Sequence, residues 1–247
     1  MELIIQIILT IIIGLITGFI GAITGSGGVI SIPFLIFLGL PPATAIATER
    51  FSSLGQNIAT IREFIKKKKI IWEYFLPFTI IILITTLINT FMLISASEMI
   101  LKFTIIALMI LALIIVLVFP KIGIREKETS KKKKIQGYSM LGITTFFSGF
   151  IGGLGILKYI LISYFFGTTY IKANATQRIP WAISVFITTV FLLFKGYVSI
   201  YLGIALFIGY FIGGHIGAIT EIRKGDTWVK KVFIIIIILS LIKYIFF

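Results

Sequence analysis

The chain is expected to fold as an all-α polytopic membrane protein made of two inverted repeats, each a glycine-broken re-entrant hairpin plus three transmembrane helices. Three observations predict this. The 247 residues are 58% hydrophobic and 13% charged, with a mean hydropathy of +1.12, and several apolar runs exceed the roughly 18 residues that mark a membrane span. A block near the start returns in the second half: residues 21–50, GAITGSGGVISIPFLIFLGLPPATAIATER, lie without a gap over residues 149–178, GFIGGLGILKYILISYFFGTTYIKANATQR. Eleven of the thirty positions are identical, including Gly21/Gly149, Gly25/Gly153, Gly27/Gly155, Thr48/Thr176 and Arg50/Arg178. Thirdly, 16 of the 23 basic residues fall in three short segments, which fixes an orientation by the positive-inside asymmetry.

Ten helical pieces are expected, five in each half. The first half reads as a run at 3–23, a Gly-Ser-Gly-Gly break, a short run at 29–38, then helices near 42–65, 70–94 and 98–119. The second half reads as 138–152, a break at Gly152, Gly153 and Gly155, a short run at 156–166, then 170–194, 197–222 and 228–247. Each short run of about eleven residues rises only about 16 Å, roughly half the hydrocarbon thickness, as a half-helix of a re-entrant hairpin would. Pro41 and Pro42 suit the start of the next helix, where a missing N–H costs little. The run beginning at Leu3 lacks a basic n-region and a small-residue cleavage site, and is read as a retained span.

The expected organisation is a first transmembrane repeat at 1–119, a basic cytoplasmic linker at 120–137 and a second transmembrane repeat at 138–247. The basic segments are Arg62 with Lys66, Lys67, Lys68 and Lys69; the stretch 121–134; and Arg223, Lys224, Lys230 and Lys231. With all three in the cytoplasm, the helix at 42–65 runs inward and its repeat at 170–194 runs outward. The repeats are then inverted and both termini face outward, provided each broken hairpin returns to the side it entered. If one hairpin counts as a single crossing, the repeats are parallel instead.

Several function classes are excluded or disfavoured. With no Cys and one His, disulfides, thiolate ligands and haem attachment have no residues to use, and an all-protein transition-metal site is not expected. No cofactor is expected. A net charge of +14 does not point to nucleic acid, because the charges lie in loops and read as topology. No Walker motif or nucleophile–base constellation is present, so neither ATP hydrolysis nor an enzyme is expected.

Gly25, Ser26, Gly27 and Gly28 supply a tip at membrane depth, tolerated only where it is buried in protein or lines a water-filled cavity. Glycine amides and the positive end of the following half-helix would favour an anion there. Gly152, Gly153 and Gly155 would bring the matching tip from the other face, so that the tips meet near the midplane; the alternative use is close helix packing. Arg50 and Arg178 sit eight or nine residues into their helices, where a buried charge needs a partner. Thr48, Asn57, Asn174, Thr176 and Gln177 add polar groups, and the donor-rich centre suits a small oxyanion. Structural capping by the two arginines, or pairing with Glu49, is the competing reading. Glu49 is the candidate for proton or ion coupling. Lys158 either adds charge to the site or snorkels to the interface. His215, beside the small-residue stripe Gly209, Gly213 and Gly217, reads as an interhelical hydrogen bond before a proton relay. The basic loops read as solvated, with attraction to anionic lipids second.

The run G-x-x-x-G-S-G-G at 21–28, Pro33, Gly39, A-x-A-T at 45–48, the second copy ending at 173–176 and the late G-x-x-x-G-x-x-x-G helix resemble the sulfite exporter TauE/SafE family of membrane transporters. The likeness covers nearly the whole chain. It departs at Ile156 and Leu157, where a fuller glycine run is typical, at Leu161 in place of a proline, and at Lys158. The resemblance implies ATP-independent movement of small sulfur-containing or carboxylate anions across a prokaryotic inner membrane. The expected function is a secondary transporter for a small anionic solute, working by alternating access within the lipid bilayer. A passive anion channel and a membrane structural or assembly factor are the alternatives.

Overall fold

The computed structural model describes residues 2–92, 114, 121–151 and 155–246. All regular structure among them is helical: α1 (Glu2–Thr24), α2 (Gly28–Phe37), α3 (Pro42–Lys66), a 3₁₀ turn (Trp72–Tyr74), α4 (Phe75–Met92), α5 (Lys131–Ile151), α6 (Gly155–Phe166), α7 (Tyr170–Phe194), α8 (Ile200–Lys224) and α9 (Asp226–Phe246). The helix expected at 98–119 lies outside the described residues apart from Ile114. Among the described residues, four helical stretches are long and apolar enough to cross a bilayer: Ile4–Thr24, Trp72–Met92, Tyr170–Phe194 and Ile200–Lys224. The chain is a multi-pass membrane protein, and Ile4, Ile8, Ile12, Ile204, Ile208 and Ile212 expose an apolar outer surface for lipid.

Local chemistry sets the boundaries. α1 stops where Gly25 enters the left-handed region at φ +66° and its N–H bonds Gly21 O at 2.8 Å, a conformation a glycine adopts without a Cβ clash. α3 starts with Pro42 at its first position, and α7 starts where Thr169 Oγ1 accepts from Lys172 N. One boundary departs from expectation: α5 begins at Lys131 rather than near 138. Ser130 Oγ accepts from Lys133 N at 3.4 Å, and lysine is a good helix former when its ammonium reaches water. The lysine run read as loop is therefore the first turn of a helix. Residues 121–130 also differ from a freely solvated loop. Tyr170 N donates to Gly123 O at 2.8 Å and Lys127 N to Gly167 O at 2.9 Å, while Lys172 and Glu126 form an ion pair. The stretch is strapped across the connection between α6 and α7.

The helices interlock across the two halves of the chain. α8 packs on α1 and α3, whereas α4 packs on α5 and α7, and α3 lies against α7. Two hydrogen bonds repeat this exchange at positions 128 apart. Ser199 N donates to Thr48 Oγ1 at 3.0 Å, and Ile71 N donates to Thr176 Oγ1 at 3.1 Å. Each threonine thus pins the loop that opens a helix of the other half. A ring cluster around Phe166, with Tyr74, Phe78 and Tyr138 centred 4.9 to 5.2 Å away, closes the contact between α4, α5 and α6.

The α1–α8 seam depends on glycine at both faces. A Cβ at Gly18 would stand 2.7 Å from Tyr210 Cα, one at Gly209 would stand 2.8 Å from Gly14 Cα, and one at Gly217 would stand 2.7 Å from Phe19 O. These contacts are backbone, so the helices must separate to admit a side chain. Gly209→Ala is expected to destabilise the folded chain by about 1–3 kcal/mol and to lower its melting temperature in detergent. Gly142→Ala, whose Cβ would meet only side-chain methyls at 3.4 Å or beyond, is expected to leave it unchanged.

Candidate functional site

A small cavity of about 50 Å³ lies where α1, α2, α3, α6 and α7 converge. Its walls come from matching faces of α3 and α7. Glu49, Arg50, Ser53 and Asn57 line it from α3, and Gln177, Arg178, Trp181 and Val185 line it from α7. Each residue of the first set stands 128 positions before its counterpart. Spacings of one, four and eight residues keep these positions on one side of a helix, so the repeated sequence produces two repeated walls that face one another.

Of the residues expected in a site, Gly25, Gly27, Gly28, Glu49, Arg50, Gln177 and Arg178 line this cavity. Asn57 joins them. Ser26 is buried beside it but turns its hydroxyl to Thr24 O at 3.3 Å. Thr48 and Thr176 do not reach the cavity, because their hydroxyls hold the loops described above. Asn174 faces the other way, donating to Ala22 O at 2.7 Å and to the Glu221 carboxylate at 3.0 Å. Gly152 and Gly153 lie outside the described residues. Gly155 packs on the first tip: a Cβ on Gly25 would stand 3.1 Å from Gly155 Cα. The first glycine break and the start of α6 therefore touch, backbone to backbone.

Both arginines are buried and held by neighbouring helices. Arg50 donates through Nη1 to Thr90 Oγ1 at 2.8 Å and through Nη2 to Asn89 Oδ1 at 3.0 Å on α4, and Asn89 Nδ2 in turn donates to Phe146 O on α5 at 2.9 Å. Arg178 donates through Nη2 to Ala22 O and to Asn174 Oδ1, each at 2.6 Å. The capping reading is thus partly right. Each guanidinium is anchored on its outer side while lining the cavity.

Lys158 does not snorkel. It is 3% exposed, lines the cavity and places Nζ 3.9 Å from the Trp181 ring centroid. Glu49 accepts from Tyr210 Oη at 3.1 Å, and Ser31 Oγ lies 2.9 Å from the same hydroxyl. His215 Nδ1 stands 3.7 Å from Glu63 Oε1 at the α8–α3 contact, away from the cavity. Sequence reasoning missed Tyr159, Tyr210, Trp181, Asn89 and Glu221, which carry no motif and lie outside the repeated positions that drew attention to the site.

Among the described residues, three basic side chains, Arg50, Lys158 and Arg178, and one carboxylate, Glu49, line the cavity. Three polar atoms on its walls have no partner among the described residues: Asn57 Nδ2, Arg178 Nε and Gln177 Oε1. Buried polar atoms are normally satisfied, so these mark places where a bound solute or water completes the wall. Two of them are donors. The cavity volume corresponds to roughly four waters, taking about 10–15 Å³ for each. Among the described residues no cluster of acidic or imidazole groups could hold a metal ion.

The chain is an all-helical bundle with a cavity buried between matching helices, and comparison with known sequences places it among membrane transporters. Residues 10–244 match the sulfite exporter TauE/SafE family, and the chain belongs to that family. It is 25% identical over 225 residues to a probable membrane transporter protein of Haemophilus influenzae, covering 90% of this chain and 88% of that one. It is 23% identical over 229 residues to the probable membrane transporter protein YfcA of Escherichia coli K12, covering 91% and 84%. A probable membrane transporter protein, ORF9, of a Sinorhizobium species is 24% identical over 224 residues, covering 90% and 85%. No solved structure matches it.

Asn89 links Arg50 to α5, and its loss leaves a buried guanidinium short of an acceptor and a carbonyl short of a donor. Asn89→Leu is expected to cost about 1.5–3 kcal/mol in reversible unfolding in detergent. An unchanged midpoint would show that Arg50 is held by other means.

Proposed function

We propose that this chain is a secondary transporter that carries a small anion, sulfite or an organosulfonate or similar oxyanion, across a prokaryotic cell membrane by alternating access. The central cavity is its binding site. The observation that carries this reading is the pair of orphaned donors, Asn57 Nδ2 and Arg178 Nε, on a cavity that three basic side chains and, among the described residues, one carboxylate line. A planar guanidinium presents a fork of donors to oxyanions, and charge-assisted bonds of this kind are the strong ones. The name of the family, sulfite exporter, agrees with an anionic cargo.

In this reading the two halves are inverted repeats, and each glycine break is the tip of a re-entrant hairpin. The contact of Gly25 with Gly155 brings the tips together, as in transporters whose broken helices meet at the midplane. α3 and α7 carry the walls, and rocking of one half against the other opens the cavity to each side in turn. Glu49 is the coupling group: it is the one carboxylate on the wall among the described residues, and its bond to Tyr210 ties its protonation to the position of α8.

The test is thermal stability of the detergent-purified chain against sulfite, sulfate, thiosulfate, taurine, sulfoacetate and short carboxylates. A ligand bound only by the folded state stabilises it by about 2.7 kcal/mol at a hundred times its dissociation constant. One or more compact oxyanions are expected to raise the melting temperature. Arg50→Gln and Arg178→Gln are expected to fold and to lose that shift. No shift with any anion, or an undiminished shift in both variants, would sink the assignment.

A further inference from the structure

We propose that the strapped linker forms a second binding site, separate from the central cavity, for an anion bearing a phosphate monoester. A cavity of about 420 Å³ lies between the linker, the first turn of α5 and the last turns of α6. Lys121, Arg125, Lys127 and Lys133 line it, opposed by the carboxylate of Glu128. Among the described residues none of the four cations is in an ion pair. Lys133 Nζ stands 3.8 Å from the Tyr164 ring centroid, which holds its charge at the wall.

A second observation points to a ligand. Ser163 of α6 lines the same cavity, is 4% exposed, and its hydroxyl has no partner among the described residues. Such a hydroxyl, on a cavity that four cations also line, is placed to donate to an oxygen of whatever enters.

The cations are also held in place. Gly123 and Gly167 take φ of +70° and +69°, and each allows an approach that a side chain would block. A Cβ at Gly123 would run into the Tyr170 ring, and one at Gly167 into the Lys127 carbonyl. The linker therefore keeps one path over the protein. The N-terminus of α5 adds its positive end to the same place.

A phosphate monoester carries about −1.5 to −2 charge near neutral pH and three acceptor oxygens. Four cations from the linker and α5 outweigh the Glu128 carboxylate, and with the hydroxyl from α6 they are enough to neutralise that charge and to supply a donor to each acceptor oxygen. The volume lies within the roughly 300–1,000 Å³ of small-molecule sites, about eight times the central cavity, so it accommodates an organic group beyond the phosphate. A soluble phosphorylated metabolite and a lipid with a terminal phosphate share this chemistry.

The test is equilibrium binding to the purified full chain of two probes, glycerol 3-phosphate in solution and dioleoyl phosphatidate in nanodiscs. The variants are the double substitution Lys127→Gln/Lys133→Gln and Ser163→Ala, with Lys224→Gln as the control cation elsewhere. Saturable binding is expected, weakened at least about tenfold by the double substitution and unchanged by Lys224→Gln. Binding of glycerol 3-phosphate identifies a soluble ligand; binding of phosphatidate alone identifies a lipid headgroup. Failure of both probes to saturate, or equal affinity in the double variant and the wild type, would overturn the site.

Discussion

Charge buried inside a bilayer-spanning bundle has to be satisfied by the protein itself, and three such groups, Arg50, Arg178 and Lys158, organise this one. A charged side chain at membrane depth costs at least a few kcal/mol on insertion scales. The bundle offsets that cost by gripping each group from one side. α4 holds Arg50, the carbonyl end of α1 holds Arg178, and Trp181 covers Lys158. The opposite side of each group faces one small cavity. An arginine satisfied on every side would be a structural cap; one anchored behind and lining a cavity with orphaned donors fits the anion site proposed above.

The same arrangement explains why the halves interlock instead of packing side by side. Thr48 and Thr176 occupy equivalent places in the repeated block, and each pins a loop of the opposite half. This brings α3 and α7 face to face and sets Arg50 and Arg178 on one cavity. Close approach follows from glycine. The α1–α8 seam and the Gly25–Gly155 contact both bring backbones nearer than a Cβ would permit, the usual route to tight helix association where lipid removes the hydrophobic driving force.

Much of the architecture was legible in the sequence because the membrane imposes strong rules. Apolar runs gave most of the helices, glycine and proline gave the limits of α2 and α3, and the repeat pointed to Arg50 and Arg178 together. What escaped was direction. Thr48 and Arg50 look alike as polar positions on one apolar helix, yet two residues turn a side chain by about 200°, so one faces a loop and the other the cavity. Lys158 stays open between the site and the interface in the sequence because a short half-helix suggests an end near the interface, whereas Trp181 covers its ammonium inside the bundle. Glu221 sits among charged residues at the end of α8 and reads as an interfacial group, but it is fully buried against Asn174. The lysine run that opens α5 reads as loop because charge density hides helix propensity.

The most direct test of an anion site built by the two halves is an anomalous difference map from crystals grown with selenite, a sulfite analogue whose heavy atom can be located without bias. A peak is predicted in the central cavity, within hydrogen-bonding reach of Arg178 Nε and Asn57 Nδ2. A cavity empty of anomalous signal at saturating selenite, with peaks only on the protein surface, would contradict it.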